Sequence, residues 1–224
     1  IQRHEPGMAD RSVAELTKLI AKTAHIVLMD GAQDPKCNTG GFLATYNPAD
    51  HERFMNDVVI YEGLHTYGGM AGRDMEAVAI GIEESVEDEH QRSRIGQVRY
   101  LGELLLEWGI PIVVPVGGHG IFLDAKRFFP HLAQDQFPAQ TLAAELYLDS
   151  GVRTMERGIV SAGRDPATGK HRYPKLELTR VTIPRRVYTQ AHMDVVAEAI
   201  KAVYDHRDGV RGLEMVFEPK YLRF

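Results

Sequence analysis

Helical and extended segments alternate along this chain of 224 residues, and the alternation predicts an α/β fold. The first helix is predicted over residues 12–24, because Ser12 and Glu15 have the spacing of a capping box and an apolar-periodic stretch follows. Two short apolar runs, 25–29 and 40–45, then predict strands on either side of a loop.

A longer helical pattern lies between Gly72 and Trp108. It is rich in charge and free of proline, its apolar residues recur at helical spacing, and Gly109 ends it. The sequence therefore predicts one long helix over 72–108. Beyond it, the patterns predict three extended segments, 111–114, 120–124 and 176–183, and two helical ones, 140–149 and 191–204.

The composition argues against several classes of function. With 44% hydrophobic and 25% charged residues, the chain is ordinary for a soluble globular protein. It has 26 Lys and Arg against 31 Asp and Glu, a net charge of −5, and no basic stripe, which argues against nucleic-acid binding. No apolar run approaches the ~18 residues of a membrane span, and no charged-then-apolar leader opens the chain. The single cysteine, Cys37, excludes an intrachain disulfide and fits a reducing compartment, so we expect the cytoplasm.

Seven strings along the chain match one enzyme family. They are 67–76 (YGGMAGRDME), 117–124 (GGHGIFLD), 136–140 (QFPAQ), 155–158 (MERG), 178–184 (LTRVTIP), 189–194 (TQAHMD) and 217–220 (FEPK). Through these strings the whole chain resembles, without a gap, the C-terminal half of the tyrosine phenol-lyase and tryptophanase family. The resemblance is nearer to the phenol-lyases, because tryptophanase has an uncharged residue at the position of Arg157.

The resemblance implies a domain organisation. The chain would be the C-terminal half of a pyridoxal-phosphate-dependent, aminotransferase-like protein of fold type I. Residues 1–86 would complete the large, cofactor-binding domain, and residues 87–224 would form the small domain. The family's phosphate-cradling loop, its aromatic that stacks on the cofactor and its aspartate at the ring nitrogen would all precede this chain. We therefore expect exposed apolar faces on the chain by itself. Either a partner chain supplies the N-terminal half, in a homo- or hetero-oligomer, or the chain is a piece of a longer product.

Two arginines match positions that read the substrate in the family. Arg180 matches the arginine that grips the α-carboxylate, a task suited to a planar fork of donors. Arg157 matches the residue that reads the phenol end, where a fixed cation favours a developing phenolate. A solvated strand arginine is the alternative for Arg180, and a surface ion pair is the alternative for Arg157.

Five further positions match the family's active site. Tyr67, which the resemblance makes a catalytic residue together with Arg157, would lie near the cofactor. His119 would pack beside the reacting groups, and its alternative is a structural histidine. Met155, Leu64 and Phe224 would line the aromatic pocket; ordinary core packing is their alternative.

The predicted loop 30–39 departs from the family. At three positions the family has a serine that contacts the cofactor phosphate and two lysines, the second of which forms the Schiff base; this chain has Asp30, Ala32 and Gln33. A carboxamide nitrogen is neither basic nor nucleophilic enough to form a Schiff base or to move an α-proton near neutral pH. A carboxylate at position 30 would repel a phosphate dianion. Pyridoxal phosphate is thus implied by the resemblance, while the loop argues against its attachment.

Other residues of this loop offer alternatives. Lys36 could replace the lost lysine only if the loop were rebuilt, because it lies three residues beyond Gln33 and directly after Pro35. Cys37 has no recognisable base beside it, so an inert thiol is the simpler interpretation. Asn38 matches a position whose backbone carbonyl helps to hold a monovalent cation such as K⁺; turn capping is its alternative.

Two functional hypotheses follow. The first is a divergent, split relative of tyrosine phenol-lyase that acts on tyrosine or a similar aromatic amino acid, with altered chemistry because Gln33 replaces the lysine. In that case the cofactor would be noncovalent or different, or a lysine-bearing partner would supply the missing group. The second is a pseudoenzyme subunit that binds an amino acid or stabilises an active partner.

Overall fold

Ser12 starts the first helix of the computed structural model, which describes residues 1–219 and 223. Its Oγ accepts the Glu15 N–H and its own N–H donates to the Glu15 carboxylate, so α1 (Val13–Thr23) begins with the predicted capping box. Strands β1 (Ile26–Asp30) and β2 (Gly41–Thr45) pair as an antiparallel hairpin. The predicted strands and the loop between them are thus confirmed.

The next helix, α2 (Pro48–Tyr61), was not among the elements that the sequence pattern predicts. Its start signal is nevertheless present: the Asn47 side chain accepts the Ala49 N–H, and proline occupies the first helical position. None of its residues is buried.

Two helices replace the single one predicted over 72–108. Helix α3 (Gly72–Ser85) ends at Val86, and α4 (Asp88–Glu107) begins two residues later. The Ser85 hydroxyl donates back to the Ile82 carbonyl, and the Gln91 amide donates to the carbonyl of Ser85, which satisfies acceptors freed at the break. None of the helices in the described part of the chain is both long and apolar enough to cross a membrane.

The chain divides into two compact units, Ile1–Ser93 and Arg94–Phe224. The boundary near Glu87 that the resemblance implies stays a prediction. In the first unit several large apolar side chains are exposed, among them Leu28, Ile60 and Tyr61, each at least 70%. Apolar surface of this kind is costly to leave in water, and the expectation of uncovered apolar faces is confirmed.

The second unit is built around a small antiparallel sheet. In chain order it contains β3 (Gly120–Asp124), the single turn α5 (Ala125–Phe128), a 3₁₀ turn (Gln134–Gln136), α6 (Pro138–Ser150), β4 (Met155–Arg157), the single turn α7 (Ile159–Ala162), β5 (Leu178–Thr182), α8 (Gln190–Asp205) and a 3₁₀ turn (Arg207–Gly209). The strand order is β3-β5-β4, so β5 is central. The predicted elements at 120–124, 140–149, 176–183 and 191–204 are confirmed; the three-residue β4 was not predicted.

The segment 111–114 is not a regular strand, contrary to prediction. Two hydrogen bonds hold it beside β3: the Val113 N–H donates to the Phe122 carbonyl, and the Asp124 N–H donates to the Pro111 carbonyl. Between them lies a single bridge, Ile112 to Leu123. The ladder cannot extend, because Pro111 and Pro115 have no N–H to donate.

The core of this unit lies on one face of the sheet. Ile121, Leu123 and Val181 point into it and are almost completely buried. They pack with apolar residues of the helices, including Leu101, Leu105, Phe128, Phe129, Leu142, Leu146, Ala197 and Ile200. Because side chains alternate along a strand, the residues between them, Phe122 and Arg180, project from the opposite face.

A pair of glycines tests how the loop 30–39 is held. A Cβ at Gly81, in the middle of α3, would collide with the backbone carbonyl of Pro35, whereas a Cβ at Gly96 in α4 would meet nothing within 4 Å. We expect Gly81→Ala to destabilise the protein by about 1–3 kcal/mol and to loosen the loop. Gly96→Ala, the matched control, should stabilise it by about 0.5–1 kcal/mol. Urea unfolding of both variants measures this; shifts of the same sign would contradict the tight packing of loop against helix.

Candidate functional site

Strands β4 and β5 bring three of the predicted site residues to one face of the sheet. Met155 pairs directly with Arg180, and Arg157 pairs with Leu178, so the two arginines are diagonal neighbours. Diagonal neighbours on an antiparallel pair are within reach of long side chains. On the other side of β5, Phe122 pairs with Arg180. The half-buried face therefore carries two cations beside a thioether and an aromatic ring.

Among the described residues, Arg180 has no strong hydrogen-bond acceptor for its guanidinium. Its Nη2 lies 3.0 Å from the Met155 sulfur, a weak acceptor, and its Nε is buried with no hydrogen-bond partner among the described residues. Burial lowers the pKa of Arg180, and the nearby charge of Arg157 lowers it further. A buried cationic donor without an acceptor is costly, and a bound carboxylate would supply the missing acceptor.

Arg157 is the last residue of β4 and is half-buried. Within the described residues its guanidinium makes no hydrogen bond and no ion pair, so the surface ion pair considered as its alternative is absent from that part of the chain. With Arg180 it forms a pair of like charges for which residues 1–219 and 223 supply no counter-ion on this face. Such a pair attracts an anionic or phenolic oxygen.

His119 lies next to this group through Phe122. The two rings meet edge to face, with centroids 5.7 Å apart. The imidazole is exposed, while the His119 backbone carbonyl accepts hydrogen bonds from Arg94 Nη2 and the Ile183 N–H. The His119 backbone therefore supports the fold, and its ring lies beside Phe122, which pairs with Arg180. Phe122 itself was missed by the sequence reasoning, although alternation between buried Ile121 and Leu123 could have found it.

The remaining predicted residues, except Phe224, belong to the first unit. Asp30 ends β1, and its Oδ1 accepts the Ala32 N–H at 2.9 Å. The Asp30 carbonyl accepts the Gln33 N–H, and the Gln33 side chain is exposed. The carboxylate therefore occupies a loop donor that a phosphate would otherwise use, and it adds a negative charge there.

Lys36 does not stand in for the missing lysine. It has a φ of 60°, and its Nζ lies 3.4 Å from a Glu84 carboxylate oxygen on α3. Its side chain is only 14% exposed, and Nζ has no hydrogen-bond partner among the described residues, so the contact with Glu84 is an ion pair without a hydrogen bond. The neighbouring thiol of Cys37 is half-buried and donates to the Pro35 carbonyl, as expected of an inert cysteine.

Tyr67 borders a groove of about 900 Å³ between the hairpin β1–β2, α2 and α3. Tyr67 and Gly68 donate their N–H groups to the Leu64 carbonyl, so Leu64 and Tyr67 lie on one turn, both with exposed side chains. Asn38 is exposed in the loop, and its role as a cation ligand stays a prediction. Phe224 lies outside the described residues.

Comparison with known proteins supplies the context of these residues. The family model of beta-eliminating lyases matches residues 9–199. The chain belongs to that family. It is 61% identical over its full length to a tyrosine phenol-lyase of Nostoc punctiforme and 58% identical to one of Symbiobacterium thermophilum. It spans about half of these relatives, 48% and 49% of their lengths.

The fold agrees with this membership. Serine palmitoyltransferase of Sphingomonas wittichii superposes with a TM-score of 0.52 at 14% identity, over 84% of this chain and 42% of that one. The chain thus has the α/β fold of the C-terminal half of a fold-type I protein. The predicted family and fold class are confirmed.

The loop of this family member does not fit a covalently held pyridoxal phosphate, the cofactor that the resemblance implies. Gln33 offers only an amide, Asp30 contributes a carboxylate, and Lys36 is paired with Glu84. Among the described residues no group of three His, Cys, Asp or Glu could hold a metal ion in its place. The loop of the first unit therefore has no amine at position 33, whereas the sheet of the second unit carries Arg157 and Arg180 on one face.

The buried Nε of Arg180, which has no acceptor among the described residues, should have a measurable effect on stability. We expect Arg180→Met, which keeps the length of the side chain but removes the buried cation, to stabilise the ligand-free chain by about 0.5–2 kcal/mol. Thermal unfolding at neutral pH measures the change. Arg153→Met, at an exposed arginine, is the control and should have little effect. A loss of stability in Arg180→Met would show that its guanidinium already has an adequate partner.

Proposed function

We propose that this chain is the amino-acid-reading half of a tyrosine phenol-lyase relative. In this proposal Arg180 binds the α-carboxylate of tyrosine or a similar aromatic amino acid, and Arg157 binds the phenol oxygen. The observation that carries the proposal is the buried Nε of Arg180, which has no acceptor among the described residues. A carboxylate would accept from Nε and Nη2 together, in the two-bond geometry that arginine favours.

The surroundings of the two arginines suit an aromatic amino acid. Met155 and Phe122 flank Arg180 in the strand pairing and offer apolar surface to a ring. Arg157, one diagonal step away, supplies a second cation at a distance from the first. A ligand with a carboxylate at one end, a ring, and an oxygen at the other end would satisfy both guanidinium groups.

Gln33 limits what the chain can do with such a ligand. Its amide can neither anchor pyridoxal phosphate nor move an α-proton, so we expect no release of phenol by this chain alone. Turnover would need a lysine or another cofactor from a partner that also supplies the N-terminal half. The exposed apolar side chains of the first unit support such a partner.

A fused chimera tests ligand recognition. This chain would replace the matching half of the Nostoc punctiforme relative, and calorimetry would follow L-tyrosine binding. We expect binding that Arg180→Met weakens at least about tenfold, because a charge-assisted hydrogen bond is lost. Lys201→Met, at a cation of α8 that pairs with Asp205, is the control. Equal affinity of the Arg180→Met variant and the unsubstituted chimera would refute the proposal.

The same chimera tests the chemistry of the loop. With Gln33 we expect no borohydride-fixed cofactor on this part of the chain and no pyruvate from L-tyrosine. Restoring the family residues through Asp30→Ser, Ala32→Lys and Gln33→Lys should give a fixed mass adduct at position 33, because a basic amine is then available. Borohydride treatment and peptide mass spectrometry make the measurement. A cofactor adduct on the unsubstituted chain at Lys36 would contradict the assignment of that lysine to Glu84.

A further inference from the structure

Two buried carboxyl groups lie behind the β4–β5 face and have no part in the proposed recognition. Glu156 is 2% exposed and sits on β4 between Met155 and Arg157, with its side chain on the core side. Glu177 is fully buried and directly precedes β5. Charged residues are seldom buried this deeply without a specific set of partners.

Both carboxyl groups accept hydrogen bonds from backbone N–H groups at the start of α7. Glu156 accepts hydrogen bonds from the N–H groups of Val160 and Ser161 and from the Ser161 hydroxyl, at 3.1, 2.9 and 2.6 Å. Glu177 Oε1 accepts from the Ile159 N–H at 2.9 Å and from Gln134 Nε2 at 2.7 Å. The first three N–H groups of this single helical turn, which have no acceptor within the turn, are thus all satisfied by the two glutamates.

Gly158 is enclosed between the same two groups. A Cβ at this position would collide with Glu177 Oε2 and would lie 2.9 Å from Glu156 Oε1. A side chain at this position would require the Glu177 carboxyl group to move. Glu177 Oε2 has no hydrogen-bond partner among the described residues and faces the space beside Gly158.

Strand β4 depends on these contacts because its own pairing is slight. It is three residues long, lies at the edge of the sheet and pairs with β5 alone. Arg157, its last residue, directly precedes the turn that the two glutamates hold.

We propose that Glu156 and Glu177 are positioning residues for Arg157: together they clamp the turn 158–161 and thereby fix the guanidinium that distinguishes a phenol from a plain aromatic ring. The inference rests on the proposed function, in which Arg157 reads the phenol oxygen. Neither glutamate touches the ligand.

The pKa of Glu177 reflects its burial. Burial raises the pKa of Glu177, and the charge of Glu156 raises it further, against the opposing effects of the Gln134 and Ile159 donors and the Lys126 cation. A carboxyl group with a raised pKa contributes stability that is complete below its ordinary pKa and is lost as pH rises through the raised one. The amide introduced by Glu177→Gln cannot ionise, so the stability of this variant should not fall as pH rises through that range. The amide carbonyl can still accept the Ile159 N–H.

The clamp can be tested in the full 224-residue chain by NMR of backbone amides and the Arg157 side chain. We expect Glu177→Ala to speed amide exchange at Ile159, Val160 and Ser161 at least about tenfold and to shift the Arg157 Nε–H signal. Glu177→Gln should leave both as they are, and the exposed Glu198→Ala is the control. An unchanged Arg157 signal in Glu177→Ala would overturn the proposal.

Selectivity in the chimera supplies a second readout. We expect Glu177→Ala to lower the preference for L-tyrosine over L-phenylalanine about tenfold, with little change in affinity for L-phenylalanine, and Glu177→Gln to restore it. In an Arg157→Ala background Glu177→Ala should have no further effect. If Arg157→Ala alone leaves the preference for L-tyrosine unchanged, the proposed function is wrong. If Arg157→Ala abolishes the preference but Glu177→Ala does not lower it, only the positioning role of Glu177 is wrong. Should Glu177→Ala not fold, loss of the preference in Glu156→Gln supports the role and its retention overturns it.

Discussion

The central strand β5 places a cation opposite the core, and the candidate site depends on that alternation. Thr179 and Val181 face inward, where the Thr179 hydroxyl donates to the Ala139 carbonyl and Val181 joins the core. Arg180, between them, must project from the other face. A shift of one residue in the register would bury the guanidinium in the core, so the packing that stabilises the second unit also fixes the direction of Arg180.

The two units differ in what they keep of the family's chemistry. In the second unit, both arginines share one sheet face, and buried glutamates hold the turn after Arg157. In the first unit, the loop has an amide and a carboxylate where the resemblance implies a lysine and a serine, and its remaining lysine pairs with Glu84. Recognition and cofactor anchoring are separate physical tasks, and the proposed function assigns the described residues to the first of them. In that proposal the chain binds an aromatic amino acid.

Much of the architecture could be predicted from the sequence, because its signals are local. The capping box at Ser12 and the apolar runs of β1, β2, β3 and β5 predict those elements correctly. The break after Ser85 could not be predicted from periodicity, because the apolar spacing continues across it while side-chain hydrogen bonds end the helix. Helix α2 was missed although its start signal, Asn47 followed by Pro48, is present in the sequence.

The candidate site shows a similar division. Arg157, Arg180 and Met155 were found through the resemblance, and the structure brings them together on β4 and β5. Glu156 and Glu177 gave no signal, since a buried carboxyl group and a solvated one look alike in a sequence. Their role depends on backbone N–H groups that only the fold places.

A crystal structure of the chimera with L-tyrosine would test the role of Arg180 most directly. The expected result is a ligand carboxylate with one oxygen about 2.7–2.9 Å from Arg180 Nε and the other near Nη2, with the phenol oxygen at Arg157. A ligand carboxylate bound elsewhere, with Nε of Arg180 still lacking an acceptor, would contradict the reading of this chain as the amino-acid-binding half of a lyase.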